Sequence, residues 1–68
     1  MHKNLLAERK AKRISQKTTA EAIGISEGTY RRKELGQSQF DLNEAQALSE
    51  FLGIPIDVLF PEFFLKKE

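Results

Sequence analysis

A chain of 68 residues carrying a net charge of +1 allows one domain with a small core, one that buries on the order of 60 % of its unfolded surface. It has no cysteine, which excludes a disulfide staple and a thiolate metal site. No apolar run approaches the roughly 18 residues of a membrane span, and the opening M-H-K-N-L-L-A-E-R lacks the apolar stretch of a secretory signal, so a soluble, cytoplasmic protein is expected. The charge is unevenly spread. Residues 1–33 hold nine Lys or Arg against three acids, and residues 34–68 hold two Lys against seven acids. A basic half suits a polyanion on one face; chance segregation over a solvated surface is the plainer alternative.

Residues 2–12 predict a first helix built from alanine, leucine and long side chains, all good helix formers. Leu5 and Leu6 supply its inward face, Arg13 stands where it stops, and Ile14 anchors the connection. Ser15 is a natural N-cap for a second helix over 16–23, in which Ala20 and Ile23 share a face. Gly24 follows at the position where a left-handed residue ends a helix, and Ile25 plugs the turn. Ser26 caps a third helix over 27–35, closed by Gly36. Glu27 in its first turn and Arg31, Arg32 and Lys33 near its end suit the helix dipole, so the cations have a local explanation as well as a functional one.

Asp41 and Glu44 form a D-x-x-E start for a fourth helix over 42–52, with Leu42, Ala45, Leu48 and Leu52 as its apolar stripe. Gly53 ends it, Pro55 opens a short fifth helix over 55–60, and Pro61 stops that turn. In the tail, 61–68, Phe63, Phe64 and Leu65 either close the core or form a two-fold dimer seam; the seam is the simpler explanation of exposed phenylalanines. The prediction is a single all-α domain of five short helices with brief loops. His2 falls in a fraying terminus. Glu44, Asp57 and Glu62 are scattered with no His or Cys cluster beside them, so no catalytic residue, metal site or cofactor is expected, and the chain is not expected to be an enzyme.

Two short helices joined by a glycine turn can form a helix-turn-helix. The first helix then braces across a DNA backbone, and the second presents its N-terminal half to base edges in the major groove. On the second of the pair the outward positions are Glu27, Gly28, Thr29, Arg31 and Arg32. A glutamate can accept from cytosine N4, a threonine can bond a base or touch a thymine methyl, and an arginine can fork onto guanine.

L-x-x-x-R at 5–9, I-S-Q at 14–16, A-E-A-I-G-I-S at 20–26, T-Y-x-R at 29–32, E-x-G at 34–36 and L-G-I-P-I-D-V-L-F at 52–60 together resemble the xenobiotic-response-element family, the lambda-repressor and Cro-like helix-turn-helix domains. The T-Y-R-R-K-E-L-G and Q-F-D-L-N-E-A passages look most like small phage or prophage regulators. The resemblance implies a compact five-helix fold and a homodimer on a double-stranded operator with two half-sites, in a bacterial cell or phage-infected host. It implies DNA contacts at Gln16, Lys17, Glu27, Gly28, Thr29, Arg31, Arg32, Gln37 and Ser38, and an ion pair of Arg9 with Glu34 between the first and third helices. No small-molecule effector is expected. The other reading is a protein-interaction module, antirepressor or antitoxin-like, that docks a partner through the acidic, phenylalanine-bearing end. The chain departs from the family at Thr19, usually leucine, at Lys33, usually isoleucine or leucine, and at Leu35, usually asparagine. The first two imply a thinner core, with Phe40 filling space and the Lys33 head in water. Gln37, Ser38 and Gln39 replace a loop that is often basic, which implies a shallower salt dependence than a lysine-rich relative would show.

Overall fold

The second, third and fourth helices each start at a capping side chain. The structure, a computed structural model, describes residues 1–63. Its helices are α1 (Lys3–Ala11), α2 (Gln16–Ile23), α3 (Glu27–Leu35), α4 (Leu42–Leu52) and α5 (Ile56–Leu59), followed by a 3-10 turn at Pro61–Phe63. It is an all-α domain of five helices. The Ser15 hydroxyl accepts from Thr18 N–H at 3.0 Å and the Ser26 hydroxyl from Thr29 N–H at 3.1 Å, each satisfying a helix-end donor that would otherwise lack a partner. Asp41 and Glu44 form a reciprocal capping box: Glu44 N–H donates to Asp41 Oδ1 at 2.7 Å and Asp41 N–H to Glu44 Oε1 at 3.0 Å.

Gly24 makes the turn between α2 and α3. Its φ of 80° lies in the left-handed region, and Ile25 N–H returns to Ala20 C=O at 3.0 Å to close the end of α2. The end of α1 is made differently. Arg13 takes φ 59° without being glycine, and the reversal is held on both sides: Ile14 N–H donates to Arg9 C=O at 3.1 Å, and the Arg9 guanidinium donates back to Ile14 C=O at 2.8 Å.

The core is Leu5, Ala20, Tyr30, Phe40, Ala45, Leu48, Leu52, Leu59 and Phe60, with Ile14, Ile23, Ile25, Ile54 and Ile56 packed at its edge. Thr19 is fully buried, and its hydroxyl donates to Ser15 C=O at 2.9 Å, so the polar group carries no unmet bond inside.

Several expectations are corrected. The helix of residues 2–12 is one residue shorter at each end, Lys3–Ala11, and the 55–60 helix contracts to Ile56–Leu59 with Pro55 as its cap. Leu42 does not join the buried stripe of α4; it is 65 % exposed at the first helical position, ahead of the part of α4 that meets the core. Lys33 does not hold its head in water, because its ammonium lies 2.6 and 2.8 Å from the two oxygens of Glu44. Pro61 does end the fifth-helix turn as expected, since α5 stops at Leu59, and it then opens a separate 3-10 turn in which Phe63 N–H donates to Phe60 C=O at 3.0 Å. His2 is docked, not frayed. Its backbone N–H donates to Glu34 C=O at 3.0 Å, its ring lies 5.2–5.7 Å from the rings of Phe40, Phe60 and Phe63, and its Nδ1 pairs with the Glu62 carboxylate. Phe63 itself stacks on Phe60 at 5.0 Å with 47 % of its surface exposed. Phe64 and Leu65 lie outside the described residues.

Candidate nucleic-acid interface

Behind the outward face of α3 is a buried polar cluster centred on Glu34. Its carboxylate accepts four bonds: Arg9 Nε at 2.8 Å and Tyr30 Oη–H at 2.6 Å on one oxygen, Arg9 Nη2 at 3.1 Å and Gln16 Nε2 at 3.0 Å on the other. Arg9 and Glu34 therefore form a two-bond ion pair between α1 and α3, with both side chains nearly sealed from water. Among the described residues no buried side-chain polar atom is left without a partner. That matters for a charge this deep, since an unpaired buried carboxylate would destabilise the domain by several kcal/mol.

The cluster sets the protonation of its members. Burial alone would push the Glu34 carboxyl up, but the hydrogen bonds from Arg9, Tyr30 and Gln16, with the nearby Arg9 charge, outweigh it and hold the group below its ordinary range. Burial pushes the Tyr30 hydroxyl well up, and its bond to Glu34 adds to that. The bond to Glu34 raises Arg9, against the opposing effect of burial. The triad is thus locked as carboxylate, phenol and guanidinium across neutral pH.

Gln16 joins this buried cluster to the surface. While its amide nitrogen holds Glu34, its Oε1 accepts from Arg31 Nε at 3.3 Å. Arg31 Nη2 reaches Glu27 Oε2 at 3.4 Å, one helical turn back. Both partners of that pair are about half exposed, which limits it to about 0.3–0.5 kcal/mol of stability. Its larger effect is on orientation. Arg32 points along the helix, with Nη2 donating to Thr29 Oγ1 at 3.4 Å, and it lies over Gly28, where an added Cβ would meet Arg32 Nη1 at 3.8 Å.

Every position expected to face a ligand can now be placed. Glu27, Gly28, Arg31 and Arg32 are exposed and Thr29 is half-buried, all on α3. Gln16 and Lys17 open α2, half-buried and exposed respectively. Gln37 and Ser38 follow the end of α3, exposed and half-buried; their backbone N–H groups donate to Arg32 C=O at 2.9 and 3.4 Å. Those two donors are therefore engaged in closing α3. Sequence reasoning missed the Tyr30 hydroxyl as the fourth donor to Glu34. The spacing Tyr30 to Glu34, one helical turn, was the available signal.

No helix among the described residues is long and apolar enough to cross a membrane. No curated protein and no solved structure gives a significant match to the chain. The family model HTH_3, described as helix-turn-helix, matches residues 5–59, a span that takes in nearly all of α1 and the whole of α2 to α5. With that match over most of its length, the chain belongs to the helix-turn-helix family of Cro/C1-type, lambda-repressor-like DNA-binding domains.

Proposed function

We propose that the chain is a sequence-specific transcriptional regulator of the small repressor or Cro-like kind, of phage or prophage type. In this reading it acts as a homodimer on a double-stranded operator in the bacterial or phage-infected cell. α3 lies in the major groove, with Glu27, Gly28, Thr29, Arg31 and Arg32 towards base edges. Gln16, Lys17, Gln37 and Ser38 face the phosphates on either side. The observation that carries the reading is the row of exposed polar side chains on α3, held from behind by the buried Arg9–Glu34–Tyr30–Gln16 cluster. A reading helix must keep its register on the duplex, and a helix whose buried carboxylate accepts three bonds from α1 and α2 does so without help from the ligand. The phage assignment draws on the T-Y-R-R-K-E-L-G and Q-F-D-L-N-E-A passages, and the dimer on family resemblance.

The second reading, a protein-docking module, draws on a different observation. Phe51, Val58 and Phe63 are exposed in the acidic half of the chain. The Phe63 part of that surface is reduced by its stacking on Phe60.

Selection of bound sequences from a random DNA pool separates the two readings. The regulator yields one preferred site with two-fold symmetry, its half-sites about one helical turn apart. Failure to shift any DNA in a gel at low salt removes the regulator reading and leaves the docking module.

A further inference from the structure

We propose that Glu27 is the base-reading member of the Glu27–Arg31 pair, selecting cytosine, and that Arg31 is a positioning residue that carries the order of the buried Glu34 carboxylate out to it. The proposal rests on the reading of α3 as the groove helix and assigns roles within that surface.

The first argument is how the two arginines are used. Arg31 commits one edge of its guanidinium to protein acceptors, Nε to Gln16 Oε1 at 3.3 Å and Nη2 to Glu27 Oε2 at 3.4 Å. That edge is one of the two that can fork onto guanine O6 and N7. Arg32 makes a single bond, from Nη2 to Thr29 at 3.4 Å, and its Nε and Nη1 have no protein partner among the described residues. Arg32 therefore spends fewer donors on the protein than Arg31 does and is the freer of the two to meet a guanine.

The second argument is the carboxylate. Glu27 Oε2 is taken by Arg31, while Oε1 accepts from nothing among the described residues. A cytosine amino group offers the donor that such an oxygen needs. A carboxylate in a groove lined by phosphates is repelled unless a cation accompanies it. Arg31 is that cation, and turning it away to read a base of its own would leave Glu27 unneutralised. The chain of bonds Glu34–Gln16–Arg31–Glu27 is continuous from core to surface, so it aims the carboxylate as well as neutralising it.

The test is sequence selection from a random DNA pool, with competition binding, on the intact chain and on Glu27→Gln, Arg31→Met, Arg31→Lys and Arg32→Met. All three positions are exposed, so the four variants should fold, and thermal melting checks it. Glu27→Gln and Arg31→Met are expected to lose, by roughly tenfold, the same cytosine preference at the same position. Arg31→Lys keeps the charge but cannot span both acceptors, so it gives the same loss there with a smaller drop in overall affinity. Arg32→Met loses a guanine preference at a different position.

Three results overturn the proposal while leaving DNA recognition standing. One is a guanine preference lost in Arg31→Met at a position that Glu27→Gln leaves intact. Another is an unchanged profile in Glu27→Gln. The third is a wild-type profile in Arg31→Lys, which would reduce Arg31 to a counter-charge. If the unmutated chain selects no sequence at all, the groove reading itself fails, and this assignment fails with it.

Discussion

Glu34 shows how one side chain sets the behaviour of a small domain. It is 1 % exposed, and each of its oxygens accepts two bonds. For a chain of this length total stability is roughly 3–10 kcal/mol, so one bond to a buried charge is a large fraction of it. Tyr30→Phe removes the 2.6 Å phenol bond and nothing else of that size. It is expected to lower stability by about 1.5–3 kcal/mol, measured by urea unfolding at neutral pH. The same variant has a signature in acid. The native Glu34 pKa lies below its ordinary value of 4.5, so its charged form contributes stability above that pH. The contribution is lost as pH falls through the depressed native value. Without the Tyr30 bond the native value moves back towards 4.5, and less stability remains to be lost. The urea midpoint of the unmutated protein should therefore fall further between pH 7 and acid pH than that of Tyr30→Phe. Equal falls would mean that other carboxylates govern acid unfolding.

At the scale of elements, the helix starts decide where the functional side chains stand. Ser26 caps α3 immediately before Glu27, so the cap sets both the stability and the register of the turn proposed to face the groove. Ser26→Ala is expected to cost about 1 kcal/mol. In a domain of this size that lowers the melting temperature by about 4–8 °C; an unchanged melting curve would show that the cap is redundant. The elements legible in the sequence were those with such local signals: serine, serine and aspartate before α2, α3 and α4, and glycine after each of them. What escaped depended on particular contacts, some local and some distant in the chain. Arg13 turns left-handed because Arg9 and Ile14 hold the reversal, which no residue preference announces. Lys33 finds Glu44 across a loop, 11 residues on. His2 is ordered by aromatic rings that begin 38 positions away, at Phe40. The exposure of Leu42 follows from where α4 meets the core, which its periodicity does not report.

At the scale of the molecule the electrostatics separate the two halves of the chain, and this gives a test of stoichiometry. The basic residues concentrate before position 34, and the segment after α3 offers only neutral side chains at Gln37, Ser38 and Gln39. Two of the backbone donors there are already spent on Arg32 C=O. Few charged groups then grip phosphate, and Lys17, exposed in the first turn of α2, is the one nearest the proposed groove face by sequence. Each phosphate neutralised by a lysine contributes about 0.9 to the slope of log affinity against log salt concentration. Lys17→Ala should therefore flatten that slope without changing base preferences, because a phosphate contact carries no sequence information. The size of the change counts protomers. A homodimer loses the contact twice on each operator, which flattens the slope by about 1.8, twice the single-lysine value. A change of about 0.9 means that one copy engages the site, and the two-fold operator is then wrong. An unaltered slope removes Lys17 from the interface. The measurement is a set of equilibrium titrations of the selected site across a range of salt, with the unmutated chain alongside.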